Sequence, residues 1–394
     1  MPETHLRNDS LPAPAAAGLR ERYIYIACPW TPVGGGMFKV ADYLIQSQPP
    51  AGPAAAQLRP LDTRGGAHAV FSLWVLLTAL AKLVRGRLEG GLAGVHVNMG
   101  ERLSLLRKGT IVVVCRALGI PVVLHLHAQM RPFYRRLPPA LQRLTRWVFS
   151  LPASVVVIGG AARRFVTHEL GVPAERVEIV INGVPEPVEP RRAAADGGKQ
   201  RVLFVGRLCE AKGVSDLLAA LAQPGFDRER LEVALAGGGD IAAYRAQAHS
   251  LGIEGFVRFE GWCDQAKIAR LMAASDVLVL PSHDEVLPLV VLEALAHGVA
   301  VVCTPVGEIP AVLADGVNAY FVMPGNVAAL AAGLQEVLGR PELLEALGRN
   351  GHALFRRQFS LQRFCANIAR IHQRHFGIAA QLEPAAPLAG ENAP

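Results

Sequence analysis

Glu285 and Glu293 stand eight positions apart in the stretch SHDEVLPLVVLEALAHGVAVVCTPVGEIP, residues 282–310. Between them an apolar run begins at Pro288. Proline suits the first turn of a helix, where its missing N–H is no loss. The spacing therefore predicts Glu285 on the loop entering a helix and Glu293 about two turns inside it. The amides of that first turn have no partner within the helix and can hold a phosphate. That brings Leu287, Pro288, Leu289 and Val290 against the ligand. Two acids placed this way flank a phosphate-bearing molecule rather than compete with it. A sugar nucleotide has that shape, a diphosphate with a hydroxyl-rich ring at each end. Glu293 suits the ribose hydroxyls and Glu285 those of the sugar. Glu293 also lies within VVLEALA, where an unpaired charge is costly, so it requires a partner.

Cations come from VGRLCEAKG, residues 205–213. Arg207 and Lys212 follow the β-rich run RVLFVG, which ends at Gly206. Arginine forks onto phosphate oxygens and lysine adds a point charge. Reaching a common point, they would neutralise a leaving diphosphate as its charge grows. Either one alone reads as an ordinary surface residue. The pair, in a glycine-bounded turn at a strand end, points to function. The run AGGGD, residues 236–240, has two readings. Gly237 and Gly238 let a backbone approach a ligand closely, or they simply make a turn. His125 and His127 end the run PVVLHLH, on the same sheet face. His127, nearer the strand end, is preferred as a hydrogen-bonding group for a sugar hydroxyl or phosphate, and His125 has a structural reading. Gly35 and Gly36, in the triplet after the first strand, would admit the diphosphate or the acceptor to the backbone.

These residues need a scaffold of parallel strands. YIYIAC (23–28), a glycine triplet and the helix-spaced MFKVADYLI open a Rossmann-like unit. Buried-strand runs follow at 94–99, 121–127 and 154–159. The pattern restarts near residue 200, with runs at 201–206, 231–237, 257–261, 276–282 and 300–304. The expected fold class is α/β, with two Rossmann-like domains facing across a cleft and a C-terminal helix closing back. Ligands of such sheets bind at the carboxyl ends of the strands. The expected boundaries are a disordered lead at 1–20, an N-terminal acceptor domain at 21–184 and a linker at 185–200. A C-terminal nucleotide-sugar donor domain follows at 201–360, then a closing helix at 361–378 and a disordered tail at 379–394.

At 394 residues, 51% hydrophobic and 19% charged, the chain can bury two cores. Its six cysteines show no CxxC pair and no metal-ligand spacing, which fits a reducing compartment. No secretory signal or span-length apolar segment is visible, so a cytoplasmic location is expected, extending to the inner membrane face. From 59 to 164 there are 16 Lys and Arg against three acids, a surplus of 13 in a chain whose total is +7. That surplus suggests an anionic partner, and a solvated basic face is the bland alternative. The apolar helix at 69–87 reads as interfacial or as a plain core helix, and the core reading is preferred. The Arg-rich loop at 129–137 is then the better membrane candidate. No nucleic-acid-binding signature is present.

The order of glycine loop, strand-end His, VGR…KG, and two glutamates followed by LEALAHGVAVVCTPVGEIPAVLADGVNAYFVMPGN resembles the retaining GT-B glycosyltransferases of family 4, glycosyl transferase group 1. The resemblance runs from about residue 23 to 375 and is most specific at 205–213 and 282–325. It implies a UDP- or GDP-sugar donor on the second domain, an acceptor on the first, retention of configuration and no bound metal or other cofactor. It assigns Arg207 and Lys212 to the diphosphate, Glu285 to the donor sugar, Glu293 to the ribose, and His127 to the reacting centre. It sets Gly35 and Gly36 over the donor phosphate. The family commonly has glycine after the first acid, where this chain has Val286. The layout of the first half looks most like bacterial exopolysaccharide and lipopolysaccharide enzymes, which implies a sugar or lipid-linked glycan acceptor near a membrane. Two rivals share the architecture, a sugar-nucleotide epimerase and a non-catalytic sugar-nucleotide-binding subunit. The first would need a further acid or base cluster, and the second would not need the retained Arg207, Lys212, Glu285 and Glu293.

Overall fold

The computed structural model describes residues 21–30, 35–49, 56–66, 69–188 and 198–382. The lead 1–20, Gly34, most of the expected linker and the tail from 383 lie outside the described residues. The first sheet comprises β1 (Tyr23–Cys28), β2 (Gln57–Asp62), β3 (Leu92–Met99), β4 (Val122–Leu126), β5 (Ser154–Val157) and β6 (Val177–Ile179). The second comprises β7 (Gln200–Val205), β8 (Leu231–Ala236), β9 (Val257–Gly261), β10 (Val277–Leu280), β11 (Ala300–Cys303) and β12 (Tyr320–Phe321). Strand order is 2-1-3-4-5-6 in one and 12-11-10-7-8-9 in the other, with every pair parallel.

The central strands are runs of Val, Leu and Ile buried on both faces, the pattern of sheets covered by helices on each side. The four edge strands, β2, β6, β9 and β12, lack such a run. An edge strand can be short and polar, and β2 even carries Pro60, which cannot donate to an inner ladder.

In the first domain the helices are α1 (Gly36–Gln46), α2 (Ala69–Glu89), α3 (Leu103–Ala117), α4 (Met130–Arg135), α5 (Pro139–Ser150) and α6 (Gly160–Arg164). Helix α3 packs beside both α2 and α5. Their inner residues, among them Leu76, Leu83, Ile111 and Phe149, form one core with Ala27, Val95 and Val97 of the sheet. The opposite sheet face, with Ile24 and Ile26, joins a core that continues through the second domain. Helix α2 is not the plain core helix expected, because Phe71, Leu73, Trp74 and Leu77 are exposed. No described helix is long and apolar enough to cross a membrane.

The last helix, Leu361–Phe376, returns to the first domain. Its start is tied by the Leu361 amide to the Val184 carbonyl (2.9 Å). Further along, Arg374 and His375 reach Glu178 of β6 (3.1 Å each). Phe376 lies flat on Gly94, where a Cβ would stand 2.4 Å from the ring. Helix and sheet also share a buried imidazole chain, in which His96 Nδ1 lies 2.9 Å from His372 Nε2 and His96 Nε2 lies 3.3 Å from His125 Nδ1.

Candidate active site

Each sheet reverses its strand order once, between β1 and β3 in the first and between β7 and β10 in the second. At such a switch point the loops leaving the two strands diverge and open a crevice. The second switch point explains why distant residues meet. Lys212 comes from the loop after β7 and Glu285 from the loop after β10, and they form an ion pair through Nζ and Oε1. The Ser282 hydroxyl donates to the same Oε1 at 2.9 Å. Arg207, in the same loop as Lys212, is exposed and takes part in no ion pair among the described residues.

Glu293 lies on the helix Leu289–His297, whose N-cap is Pro288. It is the fifth residue, just over one turn inside rather than two, because Pro288 caps the helix instead of opening its first turn. The partner its burial demanded comes from the other domain. Lys39 of α1 forms an ion pair with Glu293, whose side chain is 13% exposed. One turn earlier on both helices, a Cβ at Gly36 would stand 3.7 Å from Leu289. The starts of α1 and of the helix Leu289–His297 therefore face each other across the cleft. Leu287 and Leu289 are buried, while Val290 is half-buried. Among the described residues, its chain neighbours aside, nothing comes within 4 Å of a Cβ at Gly35.

His127 follows β4 at the cleft and is half-buried. Its Nε2 lies 2.8 Å from Asn98 Oδ1, and Asn98 Nδ2 donates to the Ala27 carbonyl (3.4 Å). Asn98 therefore turns its acceptor toward His127, so Nε2 carries the hydrogen and Nδ1 is left to accept. Burial, with the charges of His96 and Lys108 adding, lowers the His127 pKa to about 3, so the ring is neutral. His125 stacks on it, ring centres 4.0 Å apart, and is fully buried in the chain with His96 and His372. Gln129, two residues beyond His127, donates to the Glu285 carbonyl and ties the first domain to the Glu285 loop.

Glycines set this geometry where a side chain could not fit. Gly237 (φ +151°) packs against the Gly206 carbonyl, 1.8 Å from where its Cβ would be. The Leu208 amide bonds the Gly238 carbonyl at 2.8 Å. The AGGGD run thus has a structural task, holding the loop that carries Arg207, while Gly238 alone opens to free space. Gly307 (φ +63°) lies under the Glu285 loop, its Cβ position 2.0 Å from the Glu285 carbonyl oxygen. The Glu308 amide bonds the Val286 carbonyl there (2.8 Å), so the approach cannot be relaxed cheaply. Gly307→Ala is expected to cost about 2–3 kcal/mol of stability and to displace Glu285. Urea unfolding and a calorimetric UDP titration would measure the two effects. Val286, in place of the expected glycine, packs its side chain on the core.

Glu308 is buried and accepts from the Ala162 amide at 3.0 Å, a third link between the domains after Lys39–Glu293 and Gln129–Glu285. Lys39, Asn98, Gln129, Ser282 and Glu308 thus join the residues expected from the sequence. Only Lys39 left a trace there, a cation three residues after a glycine triplet at a strand end. Among the described residues no three His, Cys, Asp or Glu gather as a metal site.

Residues 186–353 match the family described as "Glycosyl transferases group 1", and residues 95–186 match "Glycosyltransferase Family 4". An uncharacterized glycosyltransferase of Methanocaldococcus jannaschii is 28% identical over 47% of this chain and 50% of its own length. A D-inositol 3-phosphate glycosyltransferase of Segniliparus rotundus is 32% identical over 48% of this chain and 44% of its own. The chain spans about half the length of the curated relatives it matches. Over 90% of this chain and 100% of the other, the fold is that of HepE from Anabaena, crystallised with UDP (TM-score 0.71, 18% identity). That likeness establishes the two-domain GT-B architecture.

Proposed function

We propose that this chain, whose residues 186–353 match the glycosyl transferases of group 1 and whose residues 95–186 match glycosyltransferase family 4, transfers a sugar from a nucleotide diphosphate sugar to a hydroxyl acceptor with retention. One observation carries the reading. Two lysine–glutamate pairs, Lys212–Glu285 and Lys39–Glu293, bracket the facing helix starts at the carboxyl ends of both sheets. The carboxylates hold the cations in place until a diphosphate arrives. Lys212 and Arg207 then neutralise the charge that grows on the leaving phosphate. Glu293 receives the ribose hydroxyls and Glu285 those of the sugar. First-turn amides of the helix Leu289–His297 add donors to the diphosphate.

Among the described residues no side chain stands as a dedicated nucleophile for the anomeric carbon, so the acceptor attacks on the face the leaving phosphate vacates. Its proton passes to a departing phosphate oxygen. His127 is neutral and faces the same space, where its free nitrogen can accept from a sugar hydroxyl. The acceptor is a sugar or lipid-linked glycan used in surface polysaccharide synthesis and held near an anionic membrane. The protein's own cations supply the charge, so no metal is required.

A donor screen tests this. Purified protein, UDP- and GDP-sugars and a membrane extract should release nucleotide together with a sugar product of unchanged anomeric configuration. EDTA should leave the rate unaltered. Transfer abolished by EDTA would contradict the metal-free reading. Nucleotide release without any sugar product would contradict transfer.

A further inference from the structure

The outer face of the α2–α3–α5 layer plays no part in the site above, and it is apolar. Along α2, Phe71, Trp74, Leu77, Val84 and Leu88 recur at helical spacing on the solvent side, with Trp74 62% and Leu88 81% exposed. The opposite stripe, Leu76, Ala79 and Leu83, is buried on the sheet. Helix α2 is thus apolar on two faces, of which the protein covers one. Leu103 and Leu106 extend the exposed face onto α3, and Leu144 and Trp147 onto α5. Of 16 exposed large apolar side chains among the described residues, 11 lie on these three helices, so they form a patch and not a scatter.

Charge identifies the occupant. Arg143 and Arg146 interleave with Leu144 and Trp147 on α5, and Lys82 lies on α2. All three are exposed, and none takes part in an ion pair among the described residues. Only three acids occur between 59 and 164. Tryptophans at the edge of an apolar face, flanked by uncompensated cations, match an anionic bilayer. Apolar side chains enter the acyl boundary, indoles sit at headgroup depth and cations meet lipid phosphate. Topology orients the face. Helices α2 and α3 begin at the carboxyl ends of β2 and β3, and α5, which follows α4, runs back to the start of β5, so Phe71, Leu103 and Leu141, near the starts of α2, α3 and α5, lie on the cleft side of the domain.

We infer that this face docks on an anionic phospholipid bilayer and sets the mouth of the cleft against it. The inference deepens the transfer reading by naming where its acceptor is held, but vesicle binding does not depend on turnover. The full chain would be sedimented with vesicles of phosphatidylcholine alone and of phosphatidylcholine with phosphatidylglycerol. It should bind only the anionic vesicles, less at high salt, with a blue shift of tryptophan emission. Trp74→Glu with Leu77→Glu should weaken binding at least tenfold. Arg143→Gln with Arg146→Gln should weaken it by about fivefold per cation and flatten the salt dependence. Both variants should keep UDP affinity and circular dichroism. Equal binding to neutral vesicles, or no binding, would overturn the docking surface. So would a dimer in ultracentrifugation that Trp74→Glu with Leu77→Glu splits, since the face would then meet a second copy. Failed vesicle binding with transfer intact removes only this surface, whereas bound vesicles without nucleotide binding remove the transfer reading.

Discussion

Lys212→Ala is expected to lower kcat by about 10²–10³ and stability by only about 1 kcal/mol. The two numbers have different origins. In the unliganded protein Lys212 is the cation of Glu285, whose side chain is 9% exposed. Removing it leaves a buried carboxylate, but one that still accepts from the Ser282 hydroxyl and sits at the edge of an open cleft. That loss lies near the low end for an unsatisfied buried acceptor. In the reaction the lysine faces a charge that increases as the sugar–phosphate bond lengthens, in a water-poor crevice where such a contact is worth far more. Arg207 cannot replace it. Its side chain is exposed and forms no ion pair among the described residues, so it must be ordered at the moment of reaction, whereas Lys212 is already positioned by Glu285. Steady-state kinetics, a UDP titration and a thermal melt on one preparation would separate the terms. If kcat survives, the diphosphate lies elsewhere. If kcat and stability fall together, with UDP affinity gone, Lys212 is a structural strut.

The sequence made the strand-end logic legible because the central strands are short runs rich in Val and Leu and each active loop follows one of them. Edge strands were not legible: nothing in QLRPLD marks a buried extended segment, since only the neighbouring β1 makes it one. The same limit applies to partners. That Glu293 needs a cation follows from its apolar neighbours, but that the cation is Lys39, 254 residues away, depends on how the two domains face each other. Lys212 and Glu285 were each marked for a different part of the ligand, and their contact emerges from strand order, which places β7 beside β10. Helix α2 shows the converse. Its composition reads as core, and only the placement of the layer at the surface reveals that half of its apolar side chains have no cover.

The buried imidazoles predict acid lability. His96 on β3, His125 and His127 on and after β4, and His372 on the last helix touch one another in sequence, with Lys108 of α3 nearby. Burial lowers His96 to about 4, and it lowers His125 and His372 well below the usual imidazole value, with their neighbours' charges adding. Between these folded values and the unfolded value near 6.5, the unfolded chain binds more protons. Stability from the cluster is therefore complete above about pH 6.5 and falls as pH drops toward 4. His96 alone accounts for about 3 kcal/mol over that window, a large share of the ~5–15 kcal/mol of a whole domain. Lys108 acts in the same direction at the other end. Burial lowers it to about 8, so its contribution grows as pH rises from there toward 10.5. Urea unfolding at pH 7.5, 6 and 5 should show a midpoint that drops steeply on the acid side. His372→Gln, which keeps a partner for His96 and removes one titrating ring, should flatten that slope. Parallel profiles for the two proteins would mean that the imidazoles titrate alike in both states. The consequence reaches the cleft, because the chain that ends at His127 begins on the helix that ties the C-terminal segment to the first domain. Protonating its buried members would loosen the closing helix and the acceptor-side histidine together.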